Sequence, residues 1–284
     1  MSDVGTSTEA TDALARECLA ARASARPLPE TPSGRDPSFD LDHAFAVAES
    51  IRSLRVSQGE RVRGYKIGFT NRTIWDRYGV HAPIWGPVWD TTLELLPEGR
   101  SEAVVSLAPY AEPRLEPEIV FGLAKAPQRG MDAASLARCI GWVAHGFEIV
   151  HTHCAGWRFT AADTVADFAL HGRLLVGQRV PVAAFGADLG GALERLSLEL
   201  LQGDGEDVRL VETGRGSNVL GGPIAALGAW VDAMAERTPG WTIEPGHVVT
   251  TGTLTDAQPL APGQVWRTSP DHPRLAGLVL RTAV

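Results

Sequence analysis

Three glutamates interrupt segments that otherwise have the composition of apolar strands. Glu116 and Glu118 lie in Arg-Leu-Glu-Pro-Glu-Ile-Val-Phe-Gly-Leu (114–123), and Glu148 lies in Gly-Phe-Glu-Ile-Val (146–150). Because side chains alternate along a strand, Glu116 and Glu118 would point to one face, roughly 6–7 Å apart. Burying carboxylates this close together without a partner would cost on the order of several kcal/mol each.

A divalent cation would neutralise such a cluster. Carboxylate oxygens suit Mg²⁺ or Mn²⁺ better than zinc, which prefers His and Cys. The pattern therefore indicates a carboxylate-only metal site formed by Glu116, Glu118 and Glu148, with Mg²⁺ (or Mn²⁺) as the cofactor. The alternative is that these glutamates lie on the solvent face of amphipathic strands and pair with arginines. The apolar neighbours of Glu148, Phe147 and Ile149, favour the buried site.

Lys66 is the next candidate for chemistry. It lies in the apolar run Gly-Tyr-Lys-Ile-Gly-Phe-Thr (64–70), and Lys125 is the only other lysine of the chain. One interpretation is a lysine that extends from a strand edge to solvent. The other is an amine beside a metal-bound substrate, which acts as a proton donor or stabilises developing negative charge. Burial would lower the pKa of this amine, whereas nearby glutamates would raise it.

The elements that must position these residues are mostly short strands separated by Gly and Pro. Strands do not alternate regularly with helices, so the predicted fold class is α+β rather than a doubly wound nucleotide fold. The Pro- and Gly-rich stretch 27–37 divides the chain into an N-terminal helix and linker, 1–38, and a single catalytic domain, 39–284. The predicted strands are 62–68, 93–96, 115–124, 142–150, 173–180, 196–202, 207–213 and 247–251, with a hairpin turn at 203–205. The predicted helices are 8–26, Asp40 or Asp42 to about Gln58, 71–78, 132–139 and 222–236.

Composition excludes several classes of protein. A net charge of −8 and a pI near 5.5 argue against a nucleic-acid partner. No apolar run has the roughly 18–20 residues of a membrane span, and no signal-peptide core follows Met1, so we expect a cytoplasmic protein that binds no membrane. The widely spaced Cys18, Cys139 and Cys154 are consistent with free thiols. The proximity of Cys154 to His151 and His153 leaves a zinc or nucleophile interpretation open.

Five motifs occur in an order that resembles a known superfamily. They are Tyr-Lys-Ile-Gly-Phe-Thr (65–70), Glu-Pro-Glu-Ile (116–119), Phe-Glu-Ile-Val (147–150), Asp-Thr-Val-Ala-Asp (163–167) and Thr-Gly-Thr-Leu (251–254). From about residue 40 onward the chain resembles the fumarylacetoacetate hydrolase superfamily, and within it the 2-keto-4-pentenoate hydratase and 4-oxalocrotonate decarboxylase branch. The resemblance implies a mixed β-roll or sandwich behind the helical N-terminal segment. It also implies a Mg²⁺ or Mn²⁺ ion, a small 2-oxo acid substrate from aromatic or related catabolism, and a homo-oligomer.

The resemblance also implies roles for individual residues. Glu116, Glu118 and Glu148 would be the metal ligands, and Lys66 would be the catalytic lysine. Thr251, Gly252 and Thr253 would line the substrate pocket. The predicted reaction is hydration of a 2-oxo-alkenoate through a metal-stabilised enolate. Decarboxylation and hydrolytic C–C cleavage share that enolate and remain alternatives, and a non-catalytic partner subunit is a third hypothesis.

Two segments depart from the pattern of this branch. Where Pro-Asp-Phe-Gly is usual, the chain has Pro-Ile-Trp-Gly (83–86), so we expect Ile84 and Trp85 to line the pocket and Asp90 to replace the missing carboxylate. Where Asp-Asn-Ala-Ser-Ser-Gly is usual, it has Asp-Phe-Ala-Leu-His-Gly (167–172). Leu170 would make the pocket more apolar, and His171 would act as a general base that positions water. The alternative for His171 is a core histidine hydrogen-bonded to the backbone.

Overall fold

Helices and two mixed sheets form the fold in a computed structural model that describes residues 3–72, 75–78 and 80–284. The helices are α1 (Asp3–Ser24), α2 (Pro32–Arg35), α3 (Leu41–Ser57), α4 (Trp75–Tyr78), α5 (Ala133–Ala137), α6 (Ala161–Ala166), α7 (Leu189–Arg195) and α8 (Pro223–Arg237). The first seven strands are β1 (Val62–Gly68), β2 (Ile84–Trp89), β3 (Leu93–Leu95), β4 (Glu102–Ser106), β5 (Arg114–Leu123), β6 (Ile140–Val150) and β7 (His171–Val176). The others are β8 (Val180–Pro181), β9 (Ser197–Gln202), β10 (Arg209–Arg215), β11 (Val248–Thr253), β12 (Gln258–Pro259), β13 (Val265–Pro270) and β14 (Val279–Ala283).

The larger sheet carries the residues that the sequence singled out. It has nine strands, with the order β2-β1-β11-β5-β6-β7-β3, and β12 and β8 pair with β5 and β6. The second sheet has the order β10-β9-β13-β14-β4. Most strand pairs are antiparallel, and β1 runs parallel to β11. The predicted α+β fold class is confirmed.

His145 on β6 connects the two sheets. Its Nδ1 donates to the Glu118 carbonyl oxygen at 3.0 Å, and its Nε2 lies 2.8 Å from Thr268 Oγ1 on β13. Because His145 and Glu148 are three residues apart, their side chains leave opposite faces of the strand. Burial lowers the pKa of His145 to about 4, so the ring stays neutral between the sheets.

The N-terminal segment packs on the rest of the fold. Asp40 begins α3, since its side chain accepts hydrogen bonds from the backbone N–H groups of Asp42 and His43. Ala15 and Cys18 of α1 are buried in the same hydrophobic core as the strands of the larger sheet. Within the predicted linker, Ser33 of α2 donates two hydrogen bonds to Asp163. The division at residue 38 stays a prediction about how the chain is organised.

The sequence predicted the long strands better than the short ones. All eight predicted strands are present within a few residues, and the turn at 203–205 joins β9 to β10 as expected. The strands β2, β4, β13 and β14 and the two-residue strands β8 and β12 were not predicted, because their patterns are short or contain Pro. For the predicted helix 71–78, α4 covers its end, while residues 73 and 74 lie outside the described part. No helix in the described ranges is long and apolar enough to cross a membrane.

Candidate metal and substrate site

Strand register brings the three glutamates together. Glu116 of β5 is paired directly with Glu148 of β6, and Glu118 follows on the same face of β5. One carboxylate oxygen of each residue lies within 4.8 Å of the other two. Among the described residues, this is the one cluster of three or more His, Cys, Asp or Glu side chains with such a geometry. Glu118 and Glu148 are fully buried, and Glu116 is partly exposed.

Strand β11 fixes the orientation of Glu118. The Thr250 hydroxyl and the Gly252 backbone N–H both donate to Glu118 Oε2. The pairing of β11 with β5 shifts between Thr250 and Thr253, and this irregularity turns the Gly252 amide toward the carboxylate. Gly252 has φ +100°, and a Cβ there would lie 1.8 Å from Thr70 Oγ1. Only glycine fits this position without displacing Thr70.

Glu148 contacts two cationic or titratable side chains. His171 Nδ1 lies 2.7 Å from Glu148 Oε1, and Lys66 Nζ lies 3.3 Å from Glu148 Oε2. Lys66 is 3% exposed, so its amine does not extend to solvent. Of the two interpretations of Lys66, the structure supports the buried amine beside the carboxylates.

The charged groups in this cluster shift one another's pKa values. Burial raises the pKa of Glu116 to about 7 and the pKa of Glu118 well above its usual range. Burial would also raise the pKa of Glu148, but the Lys66 charge and the His171 hydrogen bond lower it below its usual value. Burial would lower the pKa of Lys66, but the three carboxylates outweigh it and the pKa lies above its usual value. Without a cation, the cluster therefore favours an ionised Glu148 paired with a protonated Lys66.

Two carboxylate oxygens of the cluster suit a cation. Among the residues that the structure describes, no group donates a hydrogen bond to Glu118 Oε1, and Glu148 Oε2 has only the Lys66 ammonium, 3.3 Å away and outside hydrogen-bond geometry. A buried acceptor without a donor costs about 1–3 kcal/mol, so such atoms are rare in folded proteins. A divalent ion that binds oxygen ligands would satisfy both atoms and remove the repulsion between the carboxylates. The residues present fit Mg²⁺ or Mn²⁺.

A cavity of about 400 Å³ opens beside this cluster. Lys66 and Glu116 contribute to its wall, together with Ile84, Leu170, Gly252 and Thr253, which the sequence predicted as pocket residues. The wall also contains Trp157 and residues that the site prediction did not include, among them Phe69, Asn71, Arg114, Phe159 and Gln258. The Arg114 guanidinium lies 3.9 Å from the centre of the Trp157 ring. The wall therefore combines polar and apolar side chains, with an arginine–aromatic pair as one part of it.

Leu170 reaches the cavity from an unusual backbone turn. Phe168, Ala169 and Leu170 have φ values of +58°, +50° and +64°, a left-handed conformation that costs non-glycine residues roughly 1–2 kcal/mol each. Asp167 anchors the turn, since its carboxylate accepts hydrogen bonds from the Thr152 hydroxyl and the His153 backbone N–H. Strain held in this way is typical of functional sites.

Three of the predicted pocket residues do not reach the cavity. Trp85 follows Ile84 on β2 and therefore points to the opposite face, where its ring lies 4.5 Å from that of Phe45 in the core. Asp90 is exposed beyond the far end of β2, and its carboxylate accepts a hydrogen bond from the Arg61 backbone N–H. Thr251 is buried, and its hydroxyl donates to the Ile119 carbonyl oxygen. The structure therefore does not bring these three residues to the cavity, and their substrate-binding role stays a prediction.

The prediction for His171 also needs correction. Its ring is buried, it does not line the cavity, and both ring nitrogens have partners, Glu148 and Thr92. A nitrogen engaged in this way cannot accept a proton from water in the cavity, so the general-base role is not supported. The alternative, a core histidine bonded to backbone, is also incomplete because both partners of the ring are side chains.

Sequence reasoning missed Thr250, Thr92 and Arg114. Strand alternation was enough to find Arg114, because it lies two residues before Glu116 and so shares the face of the glutamates. Thr250 directly precedes the motif that starts at Thr251. Its register partner Val120 shares the face of Glu118, so Thr250 rather than Thr251 meets the carboxylate. Thr92 carried no local signal.

No family model matches the chain. The 2-hydroxyhexa-2,4-dienoate hydratase of Comamonas testosteroni is 32% identical to it over 230 residues, which cover 80% of this chain and 81% of that protein. The chain belongs to the hydratase and decarboxylase branch of the fumarylacetoacetate hydrolase superfamily. Another relative in this branch is the 4-oxalocrotonate decarboxylase of Pseudomonas sp. (strain CF600), 30% identical over 229 residues that cover 80% of each protein.

Solved structures in this superfamily share the fold. The 4-oxalocrotonate decarboxylase of Pseudomonas putida G7, complexed with magnesium and adipate, superposes with a TM-score of 0.85. The sequence identity is 24%, and the match covers 96% of this chain and 97% of that one. The fumarylpyruvate hydrolase of Pseudomonas aeruginosa, in complex with Mn²⁺ and pyruvate, gives a TM-score of 0.59 at 13% identity, covering 78% of this chain and 89% of that one. The predicted superfamily and branch are therefore confirmed.

Proposed function

We propose that this protein is a divalent-metal-dependent lyase that hydrates a 2-oxo-alkenoate of the 2-keto-4-pentenoate type. The observation that carries the proposal is the convergence of Glu116, Glu118 and Glu148 beside Lys66, at the wall of a cavity of about 400 Å³. The cavity volume suits a small acid, and its apolar side chains suit an unsaturated hydrocarbon tail. The names of the relatives, which include hydratases at about 30% identity, support the same reaction class.

The three glutamates would hold Mg²⁺ or Mn²⁺. When bound, the cation would act as a Lewis acid toward the carboxylate and keto oxygens of a 2-oxo acid and favour loss of a proton from C3. Thr250, Gly252 and His171 orient the ligand oxygens before any ion binds, because they hold one oxygen each of Glu118 and Glu148. The complexes named for related structures contain Mg²⁺, Ca²⁺ or Mn²⁺, which supports a divalent ion in general.

Lys66 would move protons at the substrate. In the metal-free protein the three carboxylates raise the pKa of Lys66, so the amine is protonated there and would donate a proton or hold the substrate carboxylate. Ile84 and Leu170 at the cavity wall would keep bulk water away from the reacting carbon. The water molecule that adds to the substrate would then enter the cavity together with the substrate.

A C–C bond-breaking reaction is the second candidate. The Arg114 guanidinium at the cavity wall could pair with a second carboxylate, which decarboxylation of a 2-oxo dicarboxylic acid requires and hydration of 2-keto-4-pentenoate does not. A decarboxylase among the relatives at 30% identity supports this alternative. Hydrolysis of an acylpyruvate-type substrate belongs to the same class of reaction.

One assay separates these candidates. The purified protein is incubated with Mg²⁺ and either 2-hydroxypenta-2,4-dienoate or 4-oxalocrotonate, and both the loss of absorbance and the products are followed. Formation of a hydroxylated 2-oxo acid from the first substrate supports the hydratase, and release of CO₂ from the second supports the decarboxylase. If neither substrate reacts and calorimetry detects no Mg²⁺ or Mn²⁺ binding, a non-catalytic partner subunit becomes the better hypothesis.

The assembly and location of the protein are also proposals. We propose a homo-oligomer in the cytoplasm, as the resemblance to this branch implies. Size-exclusion chromatography with light scattering measures the number of subunits, and a single-subunit mass would contradict the oligomer.

A further inference from the structure

Three buried side chains form a hydrogen-bonded chain that ends at the candidate metal site. Glu148 Oε1 lies 2.7 Å from His171 Nδ1, and His171 Nε2 lies 2.8 Å from Thr92 Oγ1. The Trp89 backbone N–H donates to Thr92 Oγ1 at 3.0 Å. Thr92 belongs to the turn between β2 and β3, so the chain joins that turn to strands β7 and β6.

For a neutral His171, the donors and acceptors of this chain have one consistent arrangement, although the Thr92 hydroxyl also has the Trp89 carbonyl oxygen 3.3 Å away as a second acceptor. An N–H of the backbone can only donate, and an ionised Glu148 can only accept. His171 therefore carries its proton on Nδ1, and its Nε2 accepts the proton of the Thr92 hydroxyl. A neutral His171 satisfies every group in the chain, and the assignment follows from the partners.

We propose that Thr92 and His171 are positioning residues for the metal ligand Glu148. The Thr92 hydroxyl selects the tautomer of His171, and His171 holds Glu148 Oε1. Glu148 Oε2 is then left for the cation and for Lys66, from which it is 3.3 Å away. This inference rests on the proposed metal site, and it assigns to His171 a role that does not require contact with substrate.

The imidazole suits this role better than the serine that is usual at this position of the branch. Its two nitrogens lie on opposite edges of a rigid ring, so it can bond to Glu148 and Thr92 at the same time. A carboxylate held through a histidine keeps a single orientation, and loss of such an outer contact typically weakens metal binding about 10–100-fold.

The fold supplies a matched control on the other face of β6. Thr268 Oγ1 lies 2.8 Å from His145 Nε2 and accepts a hydrogen bond from the Leu278 backbone N–H. This is the same threonine–histidine arrangement, but His145 donates to the backbone carbonyl oxygen of Glu118 and not to a glutamate carboxylate. Thr268→Val therefore removes the same kind of hydrogen bond without releasing Glu148.

The experiment measures Mn²⁺ affinity by calorimetry on metal-stripped protein, with the metal-free unfolding temperature as the second readout. We expect Thr92→Val to weaken Mn²⁺ binding about 10-fold and His171→Phe to weaken it up to about 100-fold. Thr92→Ser, which keeps the hydroxyl, should bind within about 3-fold of wild type. Thr268→Val should lower the unfolding temperature about as much as Thr92→Val and leave Mn²⁺ affinity unchanged.

Two results would overturn the inference, and they have different meanings. If the wild type binds Mn²⁺ and folded Thr92→Val and His171→Phe bind it equally well, the positioning role is wrong while the metal site stands. If the wild type binds neither Mn²⁺ nor Mg²⁺, the proposed metal site itself fails. If His171→Phe does not fold, the comparison of Thr92→Val, Thr92→Ser and Thr268→Val decides the question.

Discussion

At the scale of single residues, Glu118 and Glu148 each use one carboxylate oxygen for hydrogen bonds within the protein and leave the other for a cation. Glu118 gives Oε2 to Thr250 and Gly252, and Glu148 gives Oε1 to His171. Of the remaining oxygens, Glu118 Oε1 has no donor among the described residues, and Glu148 Oε2 has only the Lys66 ammonium, 3.3 Å away. This division leaves both oxygens available to a cation, which would offset the repulsion among the carboxylates.

Glu118→Gln tests the metal site most directly. The amide keeps one oxygen for Thr250 and Gly252 but removes a negative charge from the cluster, so the fold should be retained. We expect Mn²⁺ affinity, measured by calorimetry, to fall by more than about 100-fold, beyond the range for an outer contact. An affinity equal to that of wild type would contradict the proposed site.

The raised pKa values of Glu116 and Glu118 predict a pH dependence of the metal-free protein. Between the ordinary glutamate pKa of 4.5 and the value of about 7 for Glu116, the folded state binds more protons than the unfolded chain. The stability that these groups contribute is complete below pH 4.5 and is lost as the pH rises through 7. Urea unfolding of metal-stripped protein from pH 5 to 9 measures this loss of stability.

Comparing the wild type with Glu118→Gln at each pH removes the contribution that other titratable groups make to stability. Buried histidines such as His145, whose pKa lies near 4, add stability as the pH rises toward 6.5, and both proteins share them. We expect the wild type to lose stability relative to Glu118→Gln as the pH rises. Parallel curves over the whole range would show that repulsion among the carboxylates does not matter.

Lys66→Met should remove the acid–base group while filling the same volume. We expect turnover to fall by about 100-fold or more, the usual scale for a positioned proton donor. Lys125 is exposed and is the only other lysine, so Lys125→Met is the matched control and should retain full activity. Near-normal turnover of Lys66→Met would assign this residue a structural role.

At the scale of elements, the irregularity in β11 is the feature that completes the site. It inserts an extra residue between Thr250 and Thr253, so that a hydroxyl and a backbone amide both reach Glu118. The irregularity interrupts the backbone ladder between Thr250 and Thr253, so the Gly252 N–H donates to the Glu118 carboxylate instead of to a backbone carbonyl oxygen of β5. The same element therefore supplies both a sheet partner for β5 and two hydrogen bonds to a metal ligand.

Gly252→Ala should damage this element much more than an equally left-handed glycine elsewhere. The new Cβ would meet Thr70, whereas at Gly246, with φ +89°, it would meet no atom within 4 Å. We expect Gly246→Ala to cost about 1 kcal/mol from backbone strain and Gly252→Ala to cost about 1–3 kcal/mol more. Urea unfolding measures both, and equal costs would contradict the steric argument.

At the scale of the whole molecule, α1 stabilises the backbone that carries His171. The Arg22 guanidinium donates to the carbonyl oxygens of His171 and Gly172, at 2.7 Å and 3.3 Å, and contacts His151. Its guanidinium carbon Cζ lies 4.8 Å from the centre of the Phe168 ring. The N-terminal helix is thus joined to the start of β7 across the fold.

Arg22→Ala should therefore destabilise the whole protein. It leaves two carbonyl oxygens without their donor, which costs about 2–3 kcal/mol in total. Arg16 is on the same helix and is exposed, so Arg16→Ala should change the free energy of unfolding by less than about 0.5 kcal/mol. Equal free energies of unfolding for the two variants would indicate that α1 does not support the site.

Much of the site was contained in local sequence patterns. Alternation along one strand placed Glu116 and Glu118 on a common face, and the ordered motifs around Lys66 and Glu148 identified the superfamily. These inferences succeeded because strand periodicity and motif order depend on neighbouring residues alone. The α+β class followed in the same way, from strands that do not alternate with helices.

The tertiary structure alone decided which groups meet across the sheet. The register of β5 against β6 places Glu116 opposite Glu148. On β2, the face toward the cavity carries Ile84, and Trp85 lies on the other face. Thr92, 79 residues before His171 in the chain, occupies the nitrogen that sequence reasoning had assigned to water. The register of the strands, the face on which a side chain lies and the contacts between distant residues all depend on how whole elements pack. No local spacing in the chain encodes them.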